Sequence, residues 1–86
     1  MSDKRYGFLR TVIFEDKKRK ETIFKPIFSD NLAELEGFYD QCIKEHFDKK
    51  RYFNEVAIFD YEKCSYVSNN FSTANYYRRY IRGEVI

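Results

Sequence analysis

The sequence predicts an α+β fold, in which a four-stranded antiparallel sheet and two helices follow one another in the order ββαββα. Two observations lead to this prediction. A segment from Asn31 to Asp48 has the periodicity of an amphipathic helix, and a pair of strand-like segments lies on each side of it. A shorter helical segment follows the second pair. With 86 residues the chain can enclose one hydrophobic core, so we expect residues 1–86 to form a single domain.

The long helix is predicted from its two ends and its apolar face. Asn31, followed three residues later by Glu34, gives a capping-box pattern at the start. Lys49, Lys50 and Arg51 follow the other end, where the helix dipole favours cations. At about 100° per residue, one face collects the apolar side chains. These are Leu32, Leu35, Tyr39, Cys42, Ile43, His46 and Phe47. We therefore expect this face to pack on the sheet.

A hairpin is predicted before the long helix. Its strands are Tyr6–Glu15 and Glu21–Phe28, which alternate with the two-residue period of a strand and are joined by a charged turn at 16–20. Pro26 has no N–H to donate to a neighbouring strand. The second strand is therefore expected at a sheet edge, or with a bulge at this proline.

Two further strands and a short helix are predicted after the long helix. Tyr52–Tyr61 and Cys64–Ser68 have the composition of strands and are separated by a turn. Ser72 or Thr73 is placed to cap a last helix that runs from Ala74 to Arg82. The short C-terminal helix completes the predicted order of elements.

The strand directions bring two positively charged segments to one end of the predicted fold. If the first strand runs upward, the turn after it is at the top, and the long helix climbs back to the same end. The cations of both segments then form one surface, which we call the basic pole. Its members are Lys17, Lys18, Arg19, Lys20, Lys49, Lys50 and Arg51. Such a surface attracts phosphate backbones or an acidic protein surface, although charged turns are also simply solvated.

The C-terminal helix supplies a second set of candidate contact residues. Tyr76, Arg78, Arg79 and Arg82 combine rings with cations, as in proteins that bind single-stranded nucleic acid. The alternative is an amphipathic helix whose tyrosines pack on the sheet. The sequence leaves both interpretations open.

The sequence gives no pattern of a catalytic, metal or cofactor site. The three glycines are isolated, so no phosphate-binding loop is present in the sequence. Cys42 and His46 are four residues apart on one helix face, a spacing that could serve two metal ligands or a nucleophile pair. Both lie on the apolar face, where a core cysteine and a boundary histidine are the simpler interpretation. We therefore expect a protein that is not an enzyme and that holds no metal or cofactor.

Composition limits the kind of partner and compartment. The net charge is only +2, so the overall charge predicts no partner. The sequence shows no signal peptide and no apolar run long enough for a membrane helix. Two cysteines do not form a disulfide framework, and we expect free thiols in a cytoplasmic location, with no membrane partner. Phe, Tyr, Ile, Asn and Lys have AT-rich codons, which indicates a low-GC bacterium, its phage or a plasmid.

These observations favour binding over catalysis. The first hypothesis is a small non-catalytic interaction protein that docks on a protein partner, as an accessory or inhibitor protein of a phage or other mobile element. The alternative is a nucleic-acid-binding module that uses the basic pole. An apolar patch that stays exposed after folding would favour the first hypothesis.

Overall fold

The computed structural model describes residues 4–16, 18–45 and 52–80, and it confirms the predicted α+β class and order of elements. Five strands form one antiparallel sheet, and two helices follow strands three and five. The elements are β1 (Tyr6–Phe14), β2 (Thr22–Ile23), β3 (Ile27–Ser29), α1 (Leu32–Glu45), β4 (Tyr52–Asp60), β5 (Ser65–Asn69) and α2 (Phe71–Tyr80). Within these described residues, no helix is both long and apolar enough to cross a membrane.

The predicted second strand is divided into β2 and β3, which both pair with β1 at one edge of the sheet. Thr11 is opposite Ile23 and Phe8 is opposite Ile27, so three residues of the edge face two residues of β1. The three edge residues have one residue more than the facing part of β1 and therefore form a bulge, which includes Pro26. The prediction that the proline would lie at an edge or a bulge is confirmed on both counts, because an outer strand can dispense with an N–H.

The centre of the sheet is the pairing of β1 with β4. The two strands are antiparallel along their whole lengths, from Tyr6 opposite Asp60 to Phe14 opposite Tyr52. β5 pairs with the other side of β4 and forms the second edge of the sheet. Ile58 is opposite Ser68 while Phe59 is opposite Tyr66, so Val67 is a bulge within β5.

Helix α1 covers one face of the sheet, which we call the α1 face. Phe8, Val56 and Ile58 on this face are buried against Leu35 and Cys42 of the helix. Other predicted members of the apolar stripe, Leu32, Tyr39 and Ile43, are partly buried on the same core. His46 and Phe47 lie outside the described residues. The predicted packing of the helix is therefore confirmed over its described length.

The start of α1 uses the predicted cap. The Asn31 side-chain oxygen accepts the Glu34 N–H at 3.4 Å, which satisfies one of the free donors of the first turn. In a complete capping box, the Glu34 side chain would accept the Asn31 N–H. Here the Asn31 N–H donates instead to Ser29 Oγ at 2.9 Å. The described part of the helix ends at Glu45, before the predicted end at Asp48.

Helix α2 packs on the opposite face of the sheet, which we call the α2 face. Ala74 is buried against Ile13 and Phe53, and the Tyr77 ring stacks on the Phe53 ring with 5.1 Å between centroids. The interpretation of this helix as an amphipathic element with a tyrosine on the sheet holds for Tyr77. The sheet is thus the middle layer between two helices of unequal length.

Helix α2 begins at Phe71, which corrects the predicted start at Ala74 with Ser72 or Thr73 as cap. The reason is Asn70, whose side-chain amide continues the pairing with β4 after β5 has ended. Its Oδ1 accepts the Val56 N–H and its Nδ2 donates to the Asn54 carbonyl, both at 2.8 Å. The chain can therefore leave the sheet and enter the helix without a loop.

Both cysteines are free thiols, as predicted from the sequence. Cys42 of α1 is buried, and this burial raises the pKa of its thiol. Cys64 is exposed in the turn between β4 and β5, where it has a positive φ of 53°.

Candidate functional site

The described part of the basic pole is a solvated turn. Lys18, Arg19 and Lys20 are exposed, and the Arg19 guanidinium lies 5.2 Å from the centre of the Phe14 ring. The other predicted members lie outside the described residues: Lys17, Lys49, Lys50 and Arg51. Phe14, which precedes the first charged segment in the chain, is opposite Tyr52, which follows the second.

The partly buried Arg78 guanidinium is held by two carboxylates. It donates to both oxygens of Glu21 at 2.9 and 3.0 Å, and to both oxygens of Glu55 at the same distances. Its side chain is only 22% exposed, and these hydrogen bonds, to Glu21 first, raise the pKa of Arg78. Arg78 therefore joins α2 to the sheet, and its charge is neutralised within the protein.

The remaining predicted residues of the C-terminal segment are at the surface of α2. Tyr76 and Arg79 are exposed, and Arg82 lies outside the described residues. The structure thus separates the set predicted from this segment. Arg78 is partly buried and ion-paired, while Tyr76 and Arg79 are accessible from solvent.

The α2 face carries a surface that the sequence analysis did not identify. Five aromatic rings follow one another across the part of this face that α2 leaves open, and each ring contacts the next. We call this surface the aromatic strip. Its members, in spatial order, are Phe28, Tyr61, Phe59, Tyr66 and Phe71. Successive ring centroids are 4.9 to 5.9 Å apart. The strip crosses the sheet from the β3 edge to the beginning of α2.

Strand register places the rings of the strip. Phe59 of β4 is directly opposite Tyr66 of β5, which makes them a cross-strand pair. Phe28 of β3 is opposite Gly7 of β1. A side chain at Gly7 would collide with the strip, because its Cβ would lie 2.8 Å from Tyr61 Cε2. The absence of a side chain at Gly7 therefore lets the Tyr61 ring lie against the backbone of β1.

Arg5 and Asp60, at one end of the strip, form an ion pair. Arg5 donates to Asp60 through Nε and Nη2 at 3.2 and 3.0 Å, just before Tyr61 in the chain. Asp60 is only 3% exposed, and its Oδ1 also accepts the N–H groups of Glu62 and Lys63. The Arg5 hydrogen bonds are the main reason that the pKa of Asp60 is lowered. At this end of the strip, Arg5 thus neutralises the buried Asp60 carboxylate, and Asp60 orders the turn that follows β4.

The Asp60 ion pair makes a contribution to stability that depends on pH. Because the folded pKa lies below the unfolded value, the contribution is complete above the unfolded pKa and is lost as pH falls through the folded pKa. We therefore expect Asp60→Asn to be less stable than the wild type at neutral pH, and we expect this difference to narrow below about pH 4. Urea unfolding over a pH series measures it.

A matched control for this prediction is Asp40→Asn on the exposed side of α1. Its difference from the wild type should stay small and nearly constant over the same pH series. If the Asp60→Asn difference were equally constant, the pairing with Arg5 would not be the source of the acid sensitivity.

A second candidate site lies between α1 and the sheet edge. It is a shallow pocket of 200 Å³ lined by Phe8, Ile27 and Phe38, with the polar group of Arg10 and Glu45 at one side. Arg10 Nη2 donates to Glu45 at 3.4 Å. Asn54 bridges the pair, accepting from Arg10 Nε at 3.1 Å and donating to Glu45 at 3.0 Å. These groups satisfy one another, so we assign them a role in joining α1 to the sheet.

The structure tests the Cys42 and His46 spacing only in part, because His46 lies outside the described residues. Among residues 4–16, 18–45 and 52–80, no three His, Cys, Asp or Glu side chains are arranged to hold a metal ion. Cys42 itself is a member of the α1 core.

The sequence contained one signal for the strip. Phe59 and Tyr61 share the face of the third predicted strand opposite Val56 and Ile58. If the long helix covers one face, only the short helix remains for the other, and a helix of 10 residues leaves part of it open. No family model matches the chain, and comparison with curated proteins and with solved structures gives no match either.

Proposed function

We propose that this protein is a small non-catalytic interaction module that docks on a protein partner through the aromatic strip. The observation that carries the proposal is the exposure of the strip in the folded chain. Phe28, Tyr61 and Tyr66 are 39, 44 and 47% exposed, although each of them contacts another ring of the strip. Scattered apolar residues are normal on a protein surface, but contiguous aromatic patches mark interaction sites.

The geometry of the rings supports a protein partner over a nucleic acid. The contacts of Phe59 with Tyr61 and with Tyr66 are edge-to-face, at interplanar angles of 66 and 80°, and Tyr66 meets Phe71 at 90°. Bases stack on open ring faces. In this strip, neighbouring rings occupy part of those faces, so the surface offers apolar area rather than a series of stacking platforms.

The charges near the strip support the same choice. Arg5 is paired with Asp60, and Arg78 is paired with Glu21 and Glu55. Binding to a phosphate backbone draws on cations that are free to replace counterions. Ion-paired arginines instead suit an apolar protein surface surrounded by polar groups.

We propose a biological setting from composition and size. The AT-rich codons of the common residues and the small single-domain length support an accessory or inhibitor protein of a phage or other mobile element. Two free cysteines support a reducing compartment such as the cytoplasm. The inhibitor role predicts a stoichiometric complex with a host protein, without turnover.

The experiment is a pull-down from the source cell, with and without nuclease, followed by titration of the recovered partner. The strip variant is Phe28→Ser combined with Tyr61→Ser. The matched control is Ile23→Ser, which removes an apolar side chain that is 80% exposed and lies away from the strip. We expect nuclease to leave the complex intact, the control to bind normally, and the strip variant to lose binding. Binding that survives in the strip variant would overturn the proposal.

The second candidate function, nucleic-acid binding at the basic pole, has one supporting observation. Phe14 and Tyr52 are paired, and each stands beside one of the two basic segments. Reversing the charge at Lys18 and Lys50 together should then abolish binding of a nucleic acid. Glu34→Lys combined with Glu36→Lys is the control, because both carboxylates are exposed on α1. This candidate would be favoured by affinity for single-stranded oligonucleotides that falls steeply with salt. That affinity should be lost in the variant with reversed charge at Lys18 and Lys50, and kept in the Glu34 and Glu36 control.

A further inference from the structure

The segment from Cys64 to Tyr77 is free of charge. It contains fourteen consecutive residues without Asp, Glu, Lys, Arg or His, in a chain of which 35% is charged. The segment comprises all of β5 and most of α2. In such a highly charged chain, a neutral run that coincides with an edge strand needs a physical reason.

The two edges of the sheet are protected to different degrees. The β2–β3 edge is interrupted by a bulge that contains Lys25 and Pro26, and both residue types discourage pairing with another strand. β5 has neither. Ser65, Tyr66, Val67 and Asn69 are exposed, and β4 is the only described strand with which β5 pairs. Alternate N–H and C=O groups of an edge strand point away from its neighbour, so β5 offers backbone hydrogen bonds to a further strand.

We propose that the partner of this edge is a second copy of the same chain, paired through β5 in antiparallel orientation about a two-fold axis. The occupant follows from the charge pattern. In a two-fold pairing, residues of β5 face residues of the same strand, so a charge near the centre of β5 would lie opposite its own copy. Like charges directly opposite one another destabilise a strand pair. A neutral strand is suited to its own copy, whereas recognition of a charged partner strand would be served by opposite charges, which β5 lacks.

Pairing through β5 would join the two sheets into one and bring the two aromatic strips together. Tyr66 is a strip residue that lies on β5 itself. The strips of both copies would therefore meet on one face near the two-fold axis. The inference does not rest on the proposed docking function, because the β5 edge would pair through its backbone and neither Phe28 nor Tyr61 belongs to β5.

The bulge at Val67 limits the strength of the association. A bulge leaves one residue unpaired and bends the strand, and β5 is only five residues long. The interface is accordingly small, and small interfaces give weak and reversible complexes. We expect a dimer that forms and dissociates with concentration rather than a permanent one.

Sedimentation velocity of the purified full chain over a concentration series tests the inference. We expect the wild type to shift reversibly from monomer to dimer. Val67→Lys adds a charge at an exposed β5 position and should weaken association by about tenfold or more. Ile23→Lys adds the same charge at the other edge and should dimerise like the wild type. A wild type that stays monomeric, or an equal response of the two variants, would overturn the inference.

Hydrogen exchange of the wild type gives a second test that needs no variant. Raising the concentration should slow exchange at amides of β5 and leave those of β2 unchanged. Slowing at β2, or no change at either edge, would overturn the pairing through β5. The variant that combines Phe28→Ser with Tyr61→Ser separates the two proposals. Partner binding that survives in this variant would overturn the docking proposal alone, whereas its sedimentation should match that of the wild type if pairing through β5 is correct.

Discussion

Leu35→Ala is expected to lower the free energy of unfolding by about 2 to 5 kcal/mol, the usual cost of truncating a fully buried leucine. Leu35 has no exposed surface and lies in the core formed by α1 with Phe8, Val56 and Ile58. The last two belong to β4, which is fixed between β1 and β5. The sheet is therefore poorly able to move into the space left by the lost methyl groups. Urea or thermal unfolding monitored by circular dichroism measures the change.

The control for this prediction is Glu36→Ala, next to Leu35 on the exposed side of the same helix. Exposed substitutions of this kind change stability by no more than about 0.5 kcal/mol. A loss well under about 1 kcal/mol for Leu35→Ala would contradict the packing of α1 on the sheet, because such a value is typical of a solvent-facing position.

Asn54→Leu is expected to lower the free energy of unfolding by about 2 to 4 kcal/mol, since each buried polar group left without a partner costs about 1 to 3 kcal/mol. Asn54 is fully buried. Its amide donates to the Cys42 carbonyl at 3.0 Å and to Glu45, while its oxygen accepts from Arg10. Leucine has a similar volume but none of these atoms. The substitution therefore removes the hydrogen bonds by which Asn54 of β4 is joined to α1 and β1, without creating a large cavity.

Gln41→Leu is the matched control, because it makes a similar change from amide to alkyl at an exposed position of α1. We expect a change within about 0.5 kcal/mol of the wild type. If Asn54→Leu were as stable as this control, the hydrogen bonds of Asn54 would be replaceable by packing alone. The interpretation of Arg10, Glu45 and Asn54 as a joint between α1 and the sheet would then be wrong.

Local sequence patterns predicted those parts of the fold that depend on neighbours in the chain. The cap at Asn31, the apolar stripe beginning at Leu32, and the bulge at Pro26 all follow from residues within a few positions of one another. Periodicity and hydrogen-bonding capacity are enough for such features. The overall order of strands and helices followed from them.

Features that depend on distant residues could not be read from these patterns. The start of α2 shifted because the Asn70 side chain pairs with the backbone of β4, and nothing near Asn70 indicates that partner. Arg78 was predicted as a contact residue from its neighbours in the chain. Those neighbours could not indicate its ion pairs with Glu21, just before β2, and with Glu55 of β4. The basic pole stays a prediction, since most of its members lie outside the described residues.

The aromatic strip shows the same limit for a functional surface. Its rings come from β3, the turn after β4, β4 itself, β5 and the first residue of α2. The strand register is needed to know that these rings are neighbours. The positions of both helices are needed to know that no described helix covers them. Composition indicated many aromatics, but it could not separate those in the core from those on the surface.

The pairing of β1 with β4 has a consequence for how the chain acquires its structure during synthesis. The central ladder joins residues separated in sequence by β2, β3 and the whole of α1. A nascent chain that has already formed the first hairpin and α1 still lacks the strand that completes the core beneath that helix. Folding to the native state must therefore wait until Asp60 has left the ribosome, and the long separation of the paired strands favours slow closure. Until then the apolar side of α1 would be open to chaperones and to aggregation.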